Sequence, residues 1–167
     1  MAAITRRVRR FCSDRGAELI ELAVVTPVLL MIMAGIFDFG MLFRAWEVVT
    51  NAAREGARVG VLPAYTADDN VRQRVEQYMQ ASGVAAACTL QTASGGACPP
   101  GLCSVCVQTQ TMATGAETYT ARSVTVNSTQ SLYSLSVIGA FFGGSFSTVG
   151  VSATSLMRTE AAGAPPP

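Results

Sequence analysis

Residues 15–37 read RGAELIELAVVTPVLLMIMAGIF, and this stretch decides the fold. It starts with a basic residue and two acids, Glu18 and Glu21, and then runs without a charge from Leu22 to Phe37. These 16 uncharged residues form about 24 Å of α-helix, and the apolar residues that flank them lengthen the helix enough to cross about 30 Å of hydrocarbon. The stretch therefore predicts one membrane-spanning helix.

Glu21 is the unusual residue of this segment, because it lies where the hydrocarbon should begin. A charged side chain costs about 2.5–3.5 kcal/mol at the centre of a bilayer, and less near its edge. An acid kept in this place indicates a function that outweighs its desolvation; the plain alternative is an interfacial residue without a partner. Asp38, near the far end of the span, is expected to reach headgroups or water at small cost.

The charges before and after the apolar run have opposite signs. The net charge of the chain is +1, which gives no reason to expect a nucleic-acid partner. Residues 1–16 carry a net +4 and the remainder −3, the positive-inside pattern that puts the N-terminus in the cytoplasm. The run is longer than a secretory h-region and is not followed by a small-x-small cleavage site, so the segment is expected to stay in the protein.

Periodicity after the span predicts an α+β fold: a long N-terminal transmembrane spine helix and a small C-terminal domain of one short helix and about three antiparallel strands. The segment Leu132–Phe142 is apolar and is either a buried helix or a hydrophobic lid. The predicted elements are a spine helix from about Glu18 to Val59, a short helix from Thr66–Asp69 to Ser82–Gly83, and strands over Ser104–Met112, Arg122–Gln130 and Ser147–Leu156.

The predicted organisation has five parts. Residues 84–101 read as a loop because they are rich in Gly, Pro, Ser and Ala. The C-terminal run of small residues and prolines is expected to be disordered. In chain order the parts are a basic cytoplasmic leader (1–16), a transmembrane helix (17–43), its helical extension (44–60), a periplasmic α+β domain (61–160) and a disordered tail (161–167).

The cysteines divide into one residue before the span and a cluster after it. Cys12 is expected to be reduced in the cytoplasm, whereas an even cluster in an oxidising compartment indicates disulfides. Proximity favours pairing Cys88 with Cys98 and Cys103 with Cys106, although the sequence allows three pairings. The C-x2-C motif of Cys103 and Cys106 is also found in zinc sites and thiol oxidoreductases, but the wide spacing of the other pair and the strand-like context favour structural disulfides.

The composition speaks against an enzyme. The chain has no histidine, the commonest general base and metal ligand. It has no lysine either, which excludes Schiff-base and P-loop chemistry. No motif for a nucleotide, a metal or a nucleophilic serine occurs, so we expect no cofactor, no metal and no small-molecule substrate.

Three motifs together resemble the TadE-like proteins, minor pseudopilins of the tight-adherence (Flp-type) pilus machinery. They are GAELIE at 16–21, GIFDFG at 35–40 and TNAAREGAR at 50–58, with a weaker echo at 151–160. The first motif is shared by pilin-like proteins in general, and the third makes the resemblance specific. The cysteine-rich loop is not part of that pattern.

The resemblance implies how the N-terminus is processed and used. A prepilin peptidase would cut between Gly16 and Ala17, which leaves Glu21 as the fifth residue of the mature chain. Glu21 would then set the axial register between neighbouring subunits by pairing with the new amine of another subunit. The polar residues of the third motif form a possible interaction face, with a solvated helix surface as the alternative: Asn51, Arg54, Glu55 and Arg58.

The implied partners are the inner membrane, the prepilin peptidase, other pilins or pseudopilins and the pilus assembly platform. The implied function is a structural pseudopilin for assembly or initiation of Flp-type pili or a related secretion apparatus, with its C-terminal domain in the periplasm and possible incorporation into a pilus. Two other readings stay open. One is an uncleaved single-pass anchor that carries a disulfide-stapled periplasmic binding or adhesion module, and the other is a periplasmic thiol oxidoreductase.

Overall fold

The computed structural model describes residues 14–65, 67–85, 87–91, 98–114, 117–143 and 147–159. Most of the predicted leader, together with Cys12, Thr66 and the predicted tail, lies outside the described residues. Three α-helices and four strands occur in the described part, and a single 3₁₀ turn, Pro63–Tyr65, follows the first helix. The elements are α1 (Asp14–Gly60), α2 (Asp68–Ala81), β1 (Thr89–Leu90), β2 (Cys103–Thr114), β3 (Glu117–Ser131), α3 (Tyr133–Phe142) and β4 (Thr148–Arg158).

Helix α1 is the spine of the molecule, and its 47 residues correspond to about 70 Å of helix. This helix is long enough and apolar enough to cross a membrane, and it contains Pro27. The predicted spine from Glu18 to Val59 is confirmed; the observed helix begins four residues earlier, so that it includes Gly16.

Helix α2 runs back along the upper part of α1. Its first turn carries two acids, Asp68 and Asp69, which complement the positive end of the helix dipole. At its other end the guanidinium of Arg44 on α1 donates to the carbonyl oxygen of Ser82 over 2.9 Å. A cation at a helix C-terminus satisfies a free carbonyl there, so Arg44 fixes the end of α2 against the spine.

The sheet has the order β1-β2-β3-β4. Strands β2 and β3 form a long antiparallel hairpin from Cys103↔Ser128 to Thr114↔Glu117, and β4 is antiparallel to β3 from Ala121↔Arg158 to Ser131↔Thr148. Strand β3 runs from the C-terminal end of α1 back down to the apolar segment Leu132–Phe142. The three predicted antiparallel strands are thus confirmed with longer bounds.

One detail of the fold differs from the prediction, and another decides between two predicted alternatives. A two-residue strand, β1, lies inside the predicted loop and pairs in parallel with β2, so the sheet is mixed. Two residues are too few to show an alternating pattern, so this strand could not be predicted from periodicity. The apolar segment Leu132–Phe142 forms the helix α3.

The core lies between the upper part of α1, helix α2 and one face of the sheet. Every residue in it is small or β-branched except Met79 and the cysteines, so that backbones approach closely. Its contributors are Val49, Ala52, Ala53 and Ala57 from α1, Val71, Val75 and Met79 from α2, and Cys103, Val105, Val124, Val126 and Val151 from the sheet, with Cys88 beside them.

Candidate functional site

The first part of the site is the N-terminal end of α1. Gly16 and Ala17 lie in its first turns, and Glu21 follows Ala17 by four residues, so both lie on the same face about one turn apart. The Glu21 side chain is exposed, and no hydrogen bond or ion pair to it is found among residues 14–65 or the other described segments. An acid on a bare apolar helix is free to meet a group from another molecule.

The surface around Glu21 is apolar and uncovered. Leu19 and Ile20 are 67% and 69% exposed, and the other large apolar side chains up to Phe43, except Leu42, are also exposed. Between residues 17 and 37 every residue is exposed except Ala34 and Gly35, which are half-buried. Lipid or the helices of neighbouring subunits must therefore supply its packing.

The TNAAREGAR segment divides into two faces. Its small residues, Ala52, Ala53, Gly56 and Ala57, face the core, and Asn51, Arg54 and Arg58 are exposed. The Glu55 carboxylate accepts a hydrogen bond from Arg74 of α2 over 2.7 Å and lies 3.9 Å from Arg58. Three of the four predicted interaction residues thus point outward, while Glu55 holds α2 on the spine.

Gly56 lies where α1 approaches α2 and β3 closely. A Cβ atom on this residue would lie 2.7 Å from Val75 Cγ2 and 3.3 Å from Val124 Cγ1. Real Cβ atoms do not come so close, so α2 and β3 pack at this distance only because position 56 has no side chain. The glycine of this segment is a requirement of packing.

Asp38 has a role that the sequence analysis did not predict. It was expected to reach headgroups or water, but its side chain is only 3% exposed. Its carboxylate accepts hydrogen bonds from the backbone N–H groups of Ser134 and Leu135 over 3.3 and 2.7 Å. Since Leu132, the N-cap residue of α3, makes no side-chain cap, Asp38 caps α3 from the spine. Only tertiary structure brings positions nearly a hundred residues apart together.

Arg122 joins three elements at the upper end of the spine. It is 8% exposed, and its Nη1 donates to the carbonyl oxygen of Gly60 over 2.8 Å. Its Nη2 forms an ion pair with Asp68 at the start of α2. The burial of Arg122 could have been predicted from strand alternation, because Arg122 lies on the same face of β3 as the core residues Val124 and Val126.

The cysteines form two disulfides, Cys88–Cys103 and Cys98–Cys106. The pairing favoured from proximity is therefore wrong. Cys103 and Cys106 lie three residues apart in the extended strand β2, hence about 10 Å apart and on opposite faces, which is beyond the reach of a disulfide. Cys103 faces the core, and Cys106 holds the loop at Cys98 against the other face. Because each sulfur of the C-x2-C motif is bonded outside the motif, the motif is not the dithiol of an oxidoreductase.

These features define a class of protein: a single-pass membrane anchor, by the length and composition of one helix, which carries a small α+β domain. Residues 16–58, about a quarter of the chain, match the family model of the TadE-like proteins. The resemblance stated from the three motifs is confirmed over the same segment. No curated protein and no solved structure matches. The match to the TadE-like model suggests a role in assembly of the tight-adherence pilus.

Proposed function

We propose that this protein is a structural pseudopilin that a prepilin peptidase processes and that serves assembly or initiation of Flp-type pili or a related secretion apparatus. The observation that carries the proposal is the exposed Glu21 one helical turn after Ala17, at the start of an apolar and exposed run of α1 inside the TadE-like segment. Among the described residues the domain meets the spine from Asp38 upward, which leaves the segment below Asp38 for assembly.

Cleavage between Gly16 and Ala17 would change the charge at this end of the spine. The leader carries a net +4, which holds the N-terminus at the cytoplasmic face. Its removal leaves an ammonium group at Ala17 that Glu21 of a neighbouring subunit can neutralise. Opposite charges 4 Å apart attract by about 4 kcal/mol at an effective dielectric constant of 20, and desolvation consumes part of this energy. The pair would chiefly fix the axial register of packed helices, as buried polar pairs do in coiled coils.

The proposed location is the bacterial inner membrane, with the leader in the cytoplasm and the α+β domain in the periplasm. The charge asymmetry around the span and the two disulfides of the domain support this orientation. The proposed partners are the peptidase, other pilins or pseudopilins and the assembly platform. The exposed residues Asn51, Arg54 and Arg58 are the proposed contact face, and Glu55 orients it.

Processing is tested on the mature N-terminus. The membrane-extracted protein is expected to begin at Ala17, as read by N-terminal sequencing or intact mass. Gly16→Leu should retain the leader, whereas Gly16→Ala should be cut in part, because a small residue still fits a protease site made for glycine. An intact leader on the wild-type protein, in cells that build the pilus, would instead support the uncleaved binding or adhesion module.

The role of Glu21 in axial register is tested by removing its charge while the shape of the side chain is kept. Glu21→Gln should still be cleaved but lower the pilus yield at least about tenfold, which corresponds to about 1.4 kcal/mol. Glu18→Gln is the matched control, because Glu18 is an exposed acid on the same helix three residues earlier. Normal piliation by the Glu21→Gln variant would contradict the role of Glu21.

The compartment is tested on the cysteines. Protein trapped with an alkylating reagent in cells should show the four domain cysteines unreactive until reduction. A Cys88→Ser and Cys103→Ser double variant should stay unreactive, because Cys98–Cys106 remains. A Cys88→Ser and Cys98→Ser variant should expose two thiols, because Cys103 and Cys106 cannot pair in β2. Free thiols throughout the wild-type domain would contradict a periplasmic location.

A further inference from the structure

Helix α3 has a composition that is unusual for a helix on the surface of a small domain. Its sequence, YSLSVIGAFF, contains no charged residue. Among the described elements it packs chiefly on α1, and Tyr133 at its start is 73% exposed. Tyr133 and Ala140 are exposed on this uncharged helix, and such a composition at the surface of a domain is typical of a helix that has a further apolar neighbour.

The hydrogen bonds of Asp38 fix the height of α3 along the spine. Because the N–H groups of Ser134 and Leu135 bind the Asp38 carboxylate, the start of α3 lies beside residue 38 of α1. If the hydrocarbon begins near Leu19, about 28 Å of helix separates its inner edge from Asp38, close to the thickness of the hydrocarbon core. The start of α3 thus lies at the outer edge of the membrane.

The spine at this level has an apolar and aromatic surface. Phe37 and Phe39, on either side of Asp38, are 61% and 71% exposed, and Trp46 about 12 Å further up is still 50% exposed. An open groove of about 480 Å³ between α1 and β4 lies at the same height, with Phe39, Phe43 and Trp46 in its walls. Aromatic side chains concentrate at the boundary between headgroups and acyl chains. The surface that would face lipid on the spine therefore continues to the level of α3.

From this we infer that α3 is a second membrane contact, which lies against the outer leaflet and is fastened to the spanning helix by Asp38. The molecules that contact α3 are lipids, at the boundary between headgroups and acyl chains. The contact would hold the α+β domain at one height and one orientation above the membrane, because the spine alone leaves rotation about its axis free. The inference rests on the membrane anchoring in the proposed function, not on cleavage or pilus assembly.

Tryptophan fluorescence tests the inference on the full chain in phosphatidylcholine vesicles at a low protein-to-lipid ratio. The chain has a single tryptophan, Trp46, and every probe is made in a Trp46→Phe background. Phe37→Trp reports on the spine, because Phe37 is exposed just below Asp38. Tyr133→Trp reports on α3. Ala140→Trp is a second probe, because Ala140 is exposed and lies two turns further on the same face. Tyr119→Trp is the matched control, since Tyr119 is on the part of β3 remote from α3.

Lipids brominated near the top of the acyl chain should lower the emission of both α3 probes by about half or more, as for side chains at the headgroup–acyl boundary. The same lipids should quench the Phe37→Trp spine probe and leave the Tyr119→Trp control unaffected. Quenching of the spine probe alone, with α3 probes that emit as in water, would overturn the inference and leave membrane anchoring intact. Blue-shifted α3 probes that brominated lipid does not quench would also overturn it, because protein would then cover α3. Failure of every probe, the Phe37→Trp spine probe included, would contradict the membrane anchor itself.

Discussion

The lower and upper parts of α1 are one continuous helix with opposite packing. Below Ala45 its large apolar side chains, except the half-buried Leu42, are exposed, and among residues 16–44 only Asp38 is buried. Above Ala45 its core positions are Val49, Ala52, Ala53 and Ala57, all at most 1% exposed. The upper part has small residues because a helix and a sheet of the same chain pack closely on it. The lower part has large ones because its neighbours, lipid or other subunits, lie outside the chain.

The strongest test of this division compares two glycines of the spine. Gly56→Val should lower the free energy of unfolding of the α+β domain by about 1–3 kcal/mol or more, because the new side chain must enter a packed core. Gly40→Val is the control, since a Cβ there would meet nothing within 4 Å. Thermal unfolding of the full chain in nanodiscs, followed by circular dichroism, measures both. Equal destabilisation by the two changes would show that the two parts are not packed differently.

Arg122 joins α2 and β3 to the upper part of α1, and this contact is tested by substitution. Arg122→Met should cost about 1–3 kcal/mol of stability, because the carbonyl of Gly60 and the carboxylate of Asp68 lose their donor. Arg58→Met, at a side chain that is 74% exposed on the same end of α1, should change stability by less than about 0.5 kcal/mol. The same unfolding measurement applies. An Arg122→Met protein as stable as the wild type would remove Arg122 from the account of how α1, α2 and β3 are joined.

Asp38 is the buried residue in the lower part of α1, and its role as the cap of α3 is tested by substitution. Asp38→Ala should weaken the start of α3 by about 0.5–2 kcal/mol, the usual range for loss of a helix cap. Hydrogen exchange of the Ser134 and Leu135 amides should become faster, whereas the core amides of β3 should keep their protection. Asp38→Asn retains one acceptor oxygen and should show a smaller change. Unchanged exchange of the two amides in the Ala variant would mean that Asp38 does not cap α3.

The smallest effect is expected at the exposed start of α2, on the upper part. A hydrogen bond from Arg72, 2.8 Å long, is the main reason why the pKa of Asp69 lies below its ordinary value of 3.8. Because the pKa is lower in the folded state, the interaction stabilises the fold above the unfolded-state pKa and is lost as the pH falls through the folded-state value. Asp69→Asn should therefore reduce the drop in thermal midpoint on acidification to below about pH 4. An identical acid profile for both proteins would contradict this contribution.

The sequence determined much of this architecture. Sixteen uncharged residues between Glu21 and Asp38, and helical spacing beyond them, determine a long spine. Alternation along the three long strands determines an antiparallel sheet, because side chains of a strand point to opposite faces in turn. The TadE-like segment was also readable from three motifs, and these local patterns need no knowledge of what packs on them.

Only the tertiary structure decided which distant residues meet. The pairing of Cys88 with Cys103 follows from the placement of β1 beside β2, and the capping of α3 by Asp38 follows from the return of β3 along the spine. The closeness of Gly56 to Val75 and Val124 likewise depends on how three elements pack. Local sequence sets periodicity and backbone preference, whereas contacts between remote segments depend on the sum of many weak packing terms that no single stretch contains.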